Sequence, residues 1–284
     1  MRQNLMLGIV FVIISQIAFA FMDSTIKWLS SDISTATIIF FRNLITLLWM
    51  LPLFYLSGEM KNSVKRLPLH AVRSLSGQIG MVLIFVSLKV LPFSDATILR
   101  SLTPLFVPLL AWFWLKERLS WVLIPSFILA FIGVWMLSGM DKPAFSILSF
   151  IPIIAGIFVA MAMVAIRRVS KVAGGPEIVF YFSLTGIFFA FGMAIFTEFT
   201  LPNNWLVWGV VLLMGIFGSL GQIWVTKANQ IADASILAPF YYLNAVFGAI
   251  LSHFFWNETL GLWGWLGALF VIFGGLFLIF FSRR

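Results

Sequence analysis

Residues 6–28 read MLGIVFVIISQIAFAFMDSTIKW, an unbroken apolar run whose first charge is Asp23. As an α-helix it is about 34 Å long, enough to cross the roughly 30 Å hydrocarbon core of a bilayer. Nine further stretches have the same character: 36–56, 72–90, 95–115, 121–137, 145–166, 178–196, 205–225, 234–255 and 260–281. Continuous runs of this length satisfy their backbone groups internally as helices, whereas barrel strands would be shorter and alternate polar with apolar. The expected fold is therefore an all-α integral membrane protein with ten transmembrane helices.

Composition agrees. The chain has 284 residues, 62% apolar and 10% charged, with a mean hydropathy of +1.07. A soluble domain carries about 25% charged residues and could not cover its surface with so few. Ten spans of about 20 residues leave room for connections and tails but not for a separate soluble domain. With no cysteine, disulfides and thiolate metal sites are excluded, and His70 and His253 alone make no metal cluster. No cofactor and no metal are expected. The net charge of +8 suggests nucleic acid only if a basic surface is exposed, which this chain hardly has, so lipid is the partner expected instead.

The connections place that charge on one side. Arg2; Lys61, Lys65, Arg66 and Arg73; Lys116 and Arg118; Arg167, Arg168 and Lys171; Lys227; Arg283 and Arg284 share a face, opposed by Lys27, Lys89 and Lys142. The positive-inside rule puts both termini in the cytoplasm. Trp28, Trp121, Trp205, Trp208, Trp256 and Trp263 fall near span ends, as interfacial anchors do. Ala18-Phe19-Ala20 imitates a signal-peptide cleavage pattern, but the repeat described next pairs 6–28 with 145–166, and the segment is read as a retained first span.

Sliding the chain on itself by 140 or 141 residues superposes unrelated features, the mark of an internal repeat. Ile26 and Ser30 meet Ile166 and Ser170; Phe40 and Leu44 meet Phe180 and Leu184; Gly77 and Gly80 meet Gly218 and Gly221; Phe106 meets Phe247, Glu117 meets Glu258, and Gly133 meets Gly274. The expected repeats are 1–140 and 141–284. Five helices in each is an odd number, so the second half enters the membrane from the opposite side. Inverted repeats of this kind are characteristic of secondary transporters, with substrate near the midplane between halves that rock in alternating access.

Several segments carry a resemblance: Phe41-Arg42-Asn43, then Leu91-Pro92-Phe93-Ser94-Asp95-Ala96-Thr97, Thr103-Pro104-Leu105-Phe106 and Leu115-Lys116-Glu117-Arg118. With the five-plus-five arrangement they make the whole chain similar to drug/metabolite transporters of the EamA family. The second half departs at Asn244-Ala245-Val246-Phe247, where the family often has a proline before Val-Phe. The resemblance implies a transporter rather than an enzyme, in a bacterial cytoplasmic (inner) membrane, for cargoes that in the family include amino acids, sugars, vitamins and S-adenosylmethionine.

Candidate binding residues lie where the halves disagree. Asp23, Arg42 and Arg100 align with the neutral Met163, Phe182 and Tyr241. A charge at mid-helix costs about 2.5–3.5 kcal/mol on insertion scales, so each needs a partner or a wet cavity. From the helical rise all three lie roughly 8–10 Å below the outer interface and could ring one vestibule. Structural alternatives stand beside each: Asp23 precedes Lys27 by four residues, a favourable helical pairing, and Arg42 could snorkel. Arg100 shares its helix with Thr103, Pro104 and Pro108, while the ninth span carries Pro239, Tyr241, Tyr242 and Asn244, with Asn244 matching Thr103. Gln78, Gln222 and Trp224 are neutral candidates beside glycines otherwise read as close-packing positions. Glu117 and Glu258 read as solvated helix ends or salt bridges.

Two arginines against one aspartate favour a carboxylate-bearing or zwitterionic solute, such as an amino acid or an S-adenosylmethionine-like metabolite. Competing readings are a membrane-embedded transferase, against which the scattering of acids argues, and a non-transporting assembly subunit, for which no loop offers a docking domain.

Overall fold

The computed structural model describes residues 5–58, 64–90, 99, 102–117, 120–137, 147–256 and 261–281, and the statements below concern these. The helices are α1 (Leu5–Leu29), α2 (Thr35–Leu56), α3 (Leu67–Val90), α4 (Thr103–Leu115), α5 (Leu123–Leu137), α6 (Phe150–Val169), α7 (Gly175–Ala194) and α8 (Trp205–Ile231). The ninth span is broken into α9 (Ala234–Leu237), a 3-10 stretch (Ala238–Tyr242) and α10 (Leu243–Trp256), and α11 (Leu262–Phe281) is the tenth. Seven of these segments are long and apolar enough to cross a bilayer, and α4, α5 and α11 contribute shorter apolar helices. The protein is an all-α integral membrane protein.

Local chemistry sets the ends. The side chain of Ser34 accepts from Thr37 N–H at 3.3 Å and that of Asn204 from Val207 N–H at 3.0 Å, capping α2 and α8. Pro176 and Pro104 stand in the opening turns of α7 and α4, where a missing N–H costs nothing. Lys116, at φ 58°, ends α4 in the left-handed region. The span expected over 234–255 is present, but it is not α-helical throughout. Pro239 cannot donate a backbone hydrogen bond, and the chain tightens there into a 3-10 turn.

Helix pairs obey an exchange of α1 with α6, α2 with α7, α3 with α8, α4 with α10 and α5 with α11. Thus α1 packs on α8 as α6 packs on α3, α4 on α6 as α10 on α1, and α2 on α8 as α7 on α3; α2 with α7 and α5 with α11 map onto themselves. Glycines make the relation atomic. A Cβ on Gly133 would lie 2.5 Å from the carbonyl oxygen of Gly267, and one on Gly274 would lie 2.7 Å from that of Ser126. Both partners are shifted by the same 141 residues, so the α5–α11 crossing is one contact made twice. Gly80 against Val159 and Gly221 against Phe19 form a second such pair. These small residues let helix backbones meet where lipid supplies no hydrophobic drive.

The connections gather on two faces. On one, Thr200 Oγ1 accepts from Ser34 N–H at 2.6 Å, joining the α1–α2 and α7–α8 links. On the other, basic face, Arg167 reaches Asp233 at 2.9 Å and Glu117 at 4.0 Å, and it also donates to the carbonyls of Asn229 and Gln230. Glu117 additionally accepts from the Ser235 hydroxyl at 2.7 Å, so the expectation of an ion pair at Glu117 holds; Glu258 lies outside the described residues. Trp121 and Phe113 by the α4–α5 link, and Trp205 and Phe196 by the α7–α8 link, are more than four-fifths exposed, as aromatic residues at the two interfaces of a membrane protein are.

Candidate functional site

Five helices, α1, α2, α3, α7 and α8, converge on a polar centre inside the bundle. From α2, the buried Arg42 points its Nε at Met22 Sδ (3.5 Å) and donates from Nη1 to Asn43 Oδ1 (3.3 Å). From α3, the equally buried Arg73 donates from Nη2 to Gln222 Oε1 on α8 at 2.9 Å. Between them, from α7, stands the ring of Phe182: the Arg73 guanidinium carbon lies 4.0 Å from its centroid and that of Arg42 5.5 Å. Both fall within the roughly 6 Å over which a ring quadrupole attracts a cation.

Neutral groups frame the two cations. Gln78 donates to the Phe182 carbonyl at 3.0 Å and to Asn43 Oδ1 at 3.4 Å, while Asn43 Nδ2 ties back to Ile39 O at 2.8 Å. Ser219 of α8 donates to Thr46 of α2 at 2.9 Å. The two guanidiniums repel each other, and Asp23 attracts Arg42. A charge removed from water is costly unless paired and hydrogen-bonded. Yet Arg73 Nε and Gln78 Oε1 are buried without a hydrogen-bond partner among the described residues. The centre thus holds unused donor and acceptor capacity.

Repeat-related glycines lie against the cations. A Cβ on Gly77 would lie 2.6 Å from Arg73 Nη1 and 2.9 Å from the Phe182 ring; one on Gly218 would lie 3.5 Å from Arg42 Cγ and Nε. Gly77 thus leaves room for Arg73, whereas Gly218 is met first by Met22 Sδ at 3.1 Å and only borders Arg42.

Asp23, Arg42, Gln78 and Gln222 come together in this centre. The other candidates stand apart from it in separate contacts: the Tyr241 hydroxyl accepts from Asn229 Nδ2 at 3.0 Å, Trp224 tilts against Phe11 at 5.0 Å with Lys227 Nζ 4.6 Å above it, and Thr103 lies against Gly156. Asn244 Nδ2 and Tyr242 Oη are buried without a hydrogen-bond partner among the described residues. Arg100 lies outside the described residues.

One reading of the sequence requires correction. Arg73 is not a loop charge: α3 begins at Leu67 instead of 72, which carries Arg73 inside the bundle at 2% exposure. One acid that the sequence did not single out also lies inside. Glu177, in the first turn of α7, is fully buried, with Oε1 2.7 Å from His70 Nε2 and Oε2 3.1 Å from Arg66 Nη1. Arg73 and Glu177 could have been found from Gly77, one turn beyond the arginine, and from Gly175-Pro176, a helix start that draws the next residue into the span. Phe182 entered the sequence argument only as the neutral counterpart of Arg42.

Comparison with known proteins agrees with this architecture. A solved crystal structure superposes with a TM-score of 0.81 at 17% identity, covering 99% of this chain and 97% of the other; it shows the fold. The chain is 29% identical over 253 residues to the pseudopaline exporter CntI of Pseudomonas aeruginosa (strain UCBPP-PA14), covering 89% of this chain and 88% of that protein. It is 24% identical to an S-adenosylmethionine uptake transporter of Rickettsia prowazekii (strain Madrid E), covering 98% and 94%. The human solute carrier family 35 member G1 is 26% identical over 94% of this chain and 77% of its own length. These relatives are named as transporters or carriers, not enzymes. The EamA-like transporter family matches twice in succession, over residues 6–139 and 146–281, and the chain belongs to that family.

Proposed function

We propose that the protein moves a small organic solute bearing a carboxylate, such as an amino acid or an S-adenosylmethionine-like zwitterion, across the bacterial inner membrane by alternating access. Both termini face the cytoplasm in this reading, and the repeats 1–140 and 141–284 rock against each other. The observation that carries it is the pair of buried guanidiniums, Arg42 and Arg73, on one phenyl ring with Arg73 Nε uncommitted. A guanidinium presents a planar fork of donors that matches a carboxylate in two parallel hydrogen bonds. Asp23, beside Arg42, supplies a counter-charge for the amine or sulfonium of a zwitterion. Gln78 and Gln222 orient the solute with neutral hydrogen bonds.

The remaining candidates would extend the path. Tyr241 and Asn244 of the ninth span, Thr103 of α4 and Trp224 of α8 offer hydroxyl, amide and aromatic surfaces, and interrupted helices line cavities in transporters of this architecture. Arg100 keeps its place in the proposal on its one-sided charge alone. The relatives named for pseudopaline export and S-adenosylmethionine uptake move solutes in opposite directions, so direction is left to experiment.

The test is a thermal-shift screen of the purified protein against amino acids, nucleosides, vitamins and S-adenosylmethionine, followed by counterflow of each hit in proteoliposomes. A ligand that binds only the folded state raises its apparent stability. Carboxylate-bearing compounds are expected to stabilise the parent and to lose that effect in Arg42→Ala and Arg73→Ala. Stabilisation only by compounds without a carboxylate, undiminished in both variants, would overturn the reading.

A further inference from the structure

A second cluster of ionisable groups sits one helical turn from Arg73. His70 of α3 and Glu177 of α7 are both buried, at 1% and 0% side-chain exposure, and meet at 2.7 Å across the contact between the repeats. Arg66, from the 3-10 turn before α3, balances Glu177 at 3.1 Å and also binds the carbonyl of Val172. With Glu177 Oε1 accepting from Nε2–H, the other imidazole nitrogen, Nδ1, is a base. It has no hydrogen-bond partner among the described residues, and neither has Ser74 Oγ. Both residues line a cavity of about 290 Å3 with Pro68, Tyr181 and Thr185.

From these contacts we infer that the His70–Glu177 pair is a proton-binding site whose occupancy is linked to the charge carried on Arg73, so that a proton and a carboxylate-bearing solute cross in the same direction. The inference rests on the proposed binding of a carboxylate at Arg73. A proton taken from water in the cavity bonds to His70 Nδ1 and makes an imidazolium; no bond within the protein breaks. The added charge faces Arg66 from the preceding turn and Arg73 from its own helix, both of which repel it. Across from it, α7 presents Glu177 in hydrogen bond and Tyr181 stacked on the ring at 4.5 Å. The charges of α6 engage other groups, Arg167 with Asp233 and Arg168 over Trp114, and α2 sets Phe54 against Tyr181.

Residues three apart on a helix are neighbours, so a carboxylate that neutralises Arg73 removes one of the two repulsions on the imidazolium. Linkage is reciprocal: solute on Arg73 tightens proton binding at His70, and a proton on His70 tightens solute binding by the same factor. Because α3 and α7 belong to different repeats, movement of one repeat against the other also changes the access of the pair to water.

The chain has only two histidines, so 15N-imidazole labelling of a His253→Gln variant in nanodiscs isolates His70. Its resonance is expected to shift reversibly with pH as Nδ1 takes up and releases a proton. Arg73→Gln is expected to tighten proton binding roughly tenfold, with Arg73→Lys restoring the parent midpoint. An invariant resonance, or a midpoint that Arg73→Gln leaves in place, overturns the inference. Independently, proteoliposomes of the parent containing a pH-reporting dye are given S-adenosylmethionine and a mixture of amino acids. Uptake accompanied by internal acidification supports the linkage, as does loss of that acidification in His70→Gln. Uptake without proton movement overturns it and leaves the solute reading standing. Uptake of none of these compounds counts against the solute reading instead, and the resonance titration then decides the proton site alone.

Discussion

The α5–α11 crossing and the centre around Arg42 and Arg73 are both built on repeat-related glycines, and they use them to opposite ends. At the crossing, Gly133 and Gly274 each admit a backbone carbonyl of the other helix, so the two halves of the contact are interchangeable. At the centre, Gly77 and Gly218 are again equivalent positions, but each borders an arginine with no charged counterpart: Arg42 aligns with Phe182 and Arg73 with Met214. Close packing asks only for small residues and tolerates symmetry. Binding an asymmetric solute asks for charge on one side, and that is where the twofold relation fails.

The sharpest way to break this contrast is to remove the charge at the centre. Arg73→Ala is expected to cost about 3 kcal/mol in solute affinity, roughly a hundredfold, because a charged hydrogen bond to the solute is lost. Thermal stability should change little or rise, since a desolvated charge is removed as well. Equilibrium binding of a carboxylate hit and the melting temperature of the same sample check both. A collapsed melting temperature with unaltered affinity would make the centre a scaffold like the crossing.

The crossing gives the converse result. Gly133→Val and Gly274→Val place a side chain where a Cβ already lies 2.5 Å and 2.7 Å from a carbonyl oxygen, and a backbone cannot rotate aside. Each is expected to destabilise by about 1–3 kcal/mol, as overpacking does, and by similar amounts in the two variants. Unfolding in detergent measures this. Unequal losses would show that the repeats do not share the load.

What was legible in the sequence follows the same division. The spans, the repeat and the close-packing glycines all register as periodic features, and repetition makes them visible even when one copy is weak. Asp23, Arg42, Gln78 and Gln222 were legible because they are polar within apolar runs. Arg73 was not, because Lys61, Lys65 and Arg66 precede it and a basic run looks like a connection, although Leu67 already begins the helix. Glu177 was hidden by Gly174-Gly175-Pro176, which looks like a loop but starts α7. Phe182 had no signal of its own. One phenylalanine among 32 acquires a role only when folding sets two guanidiniums on its ring.

That ring offers a subtler probe of the asymmetric centre. Phe182→Leu keeps the apolar bulk and removes the quadrupole, and is expected to weaken solute binding by about 1 kcal/mol, near fivefold, through looser placement of Arg73 and Arg42. Phe182→Tyr, which retains the face, should restore most of the affinity in the same titration. Failure of Tyr to do better than Leu would reduce the ring to packing.

The smallest effect expected belongs to the basic face, where the Arg167 cluster joins the α4–α5 link to the α8–α9 link and so ties the repeats together without symmetry. Arg167, Glu117 and Asp233 keep 16%, 10% and 27% side-chain exposure, and partly exposed pairs contribute at most about 1 kcal/mol. Asp233→Asn should therefore leave stability almost unchanged, because Arg167 still holds the carbonyls of Asn229 and Gln230. Its effect should appear in opening. The natural chain is free of cysteine, so a single Ala234→Cys, buried beside the cluster, reports access by its rate of maleimide labelling. A two- to fivefold faster rate with Asp233→Asn, the scale of about 0.5–1 kcal/mol, would mark the cluster as a latch between the repeats. An unchanged rate would leave it a surface ion pair, and the asymmetry that matters would then be confined to the arginines.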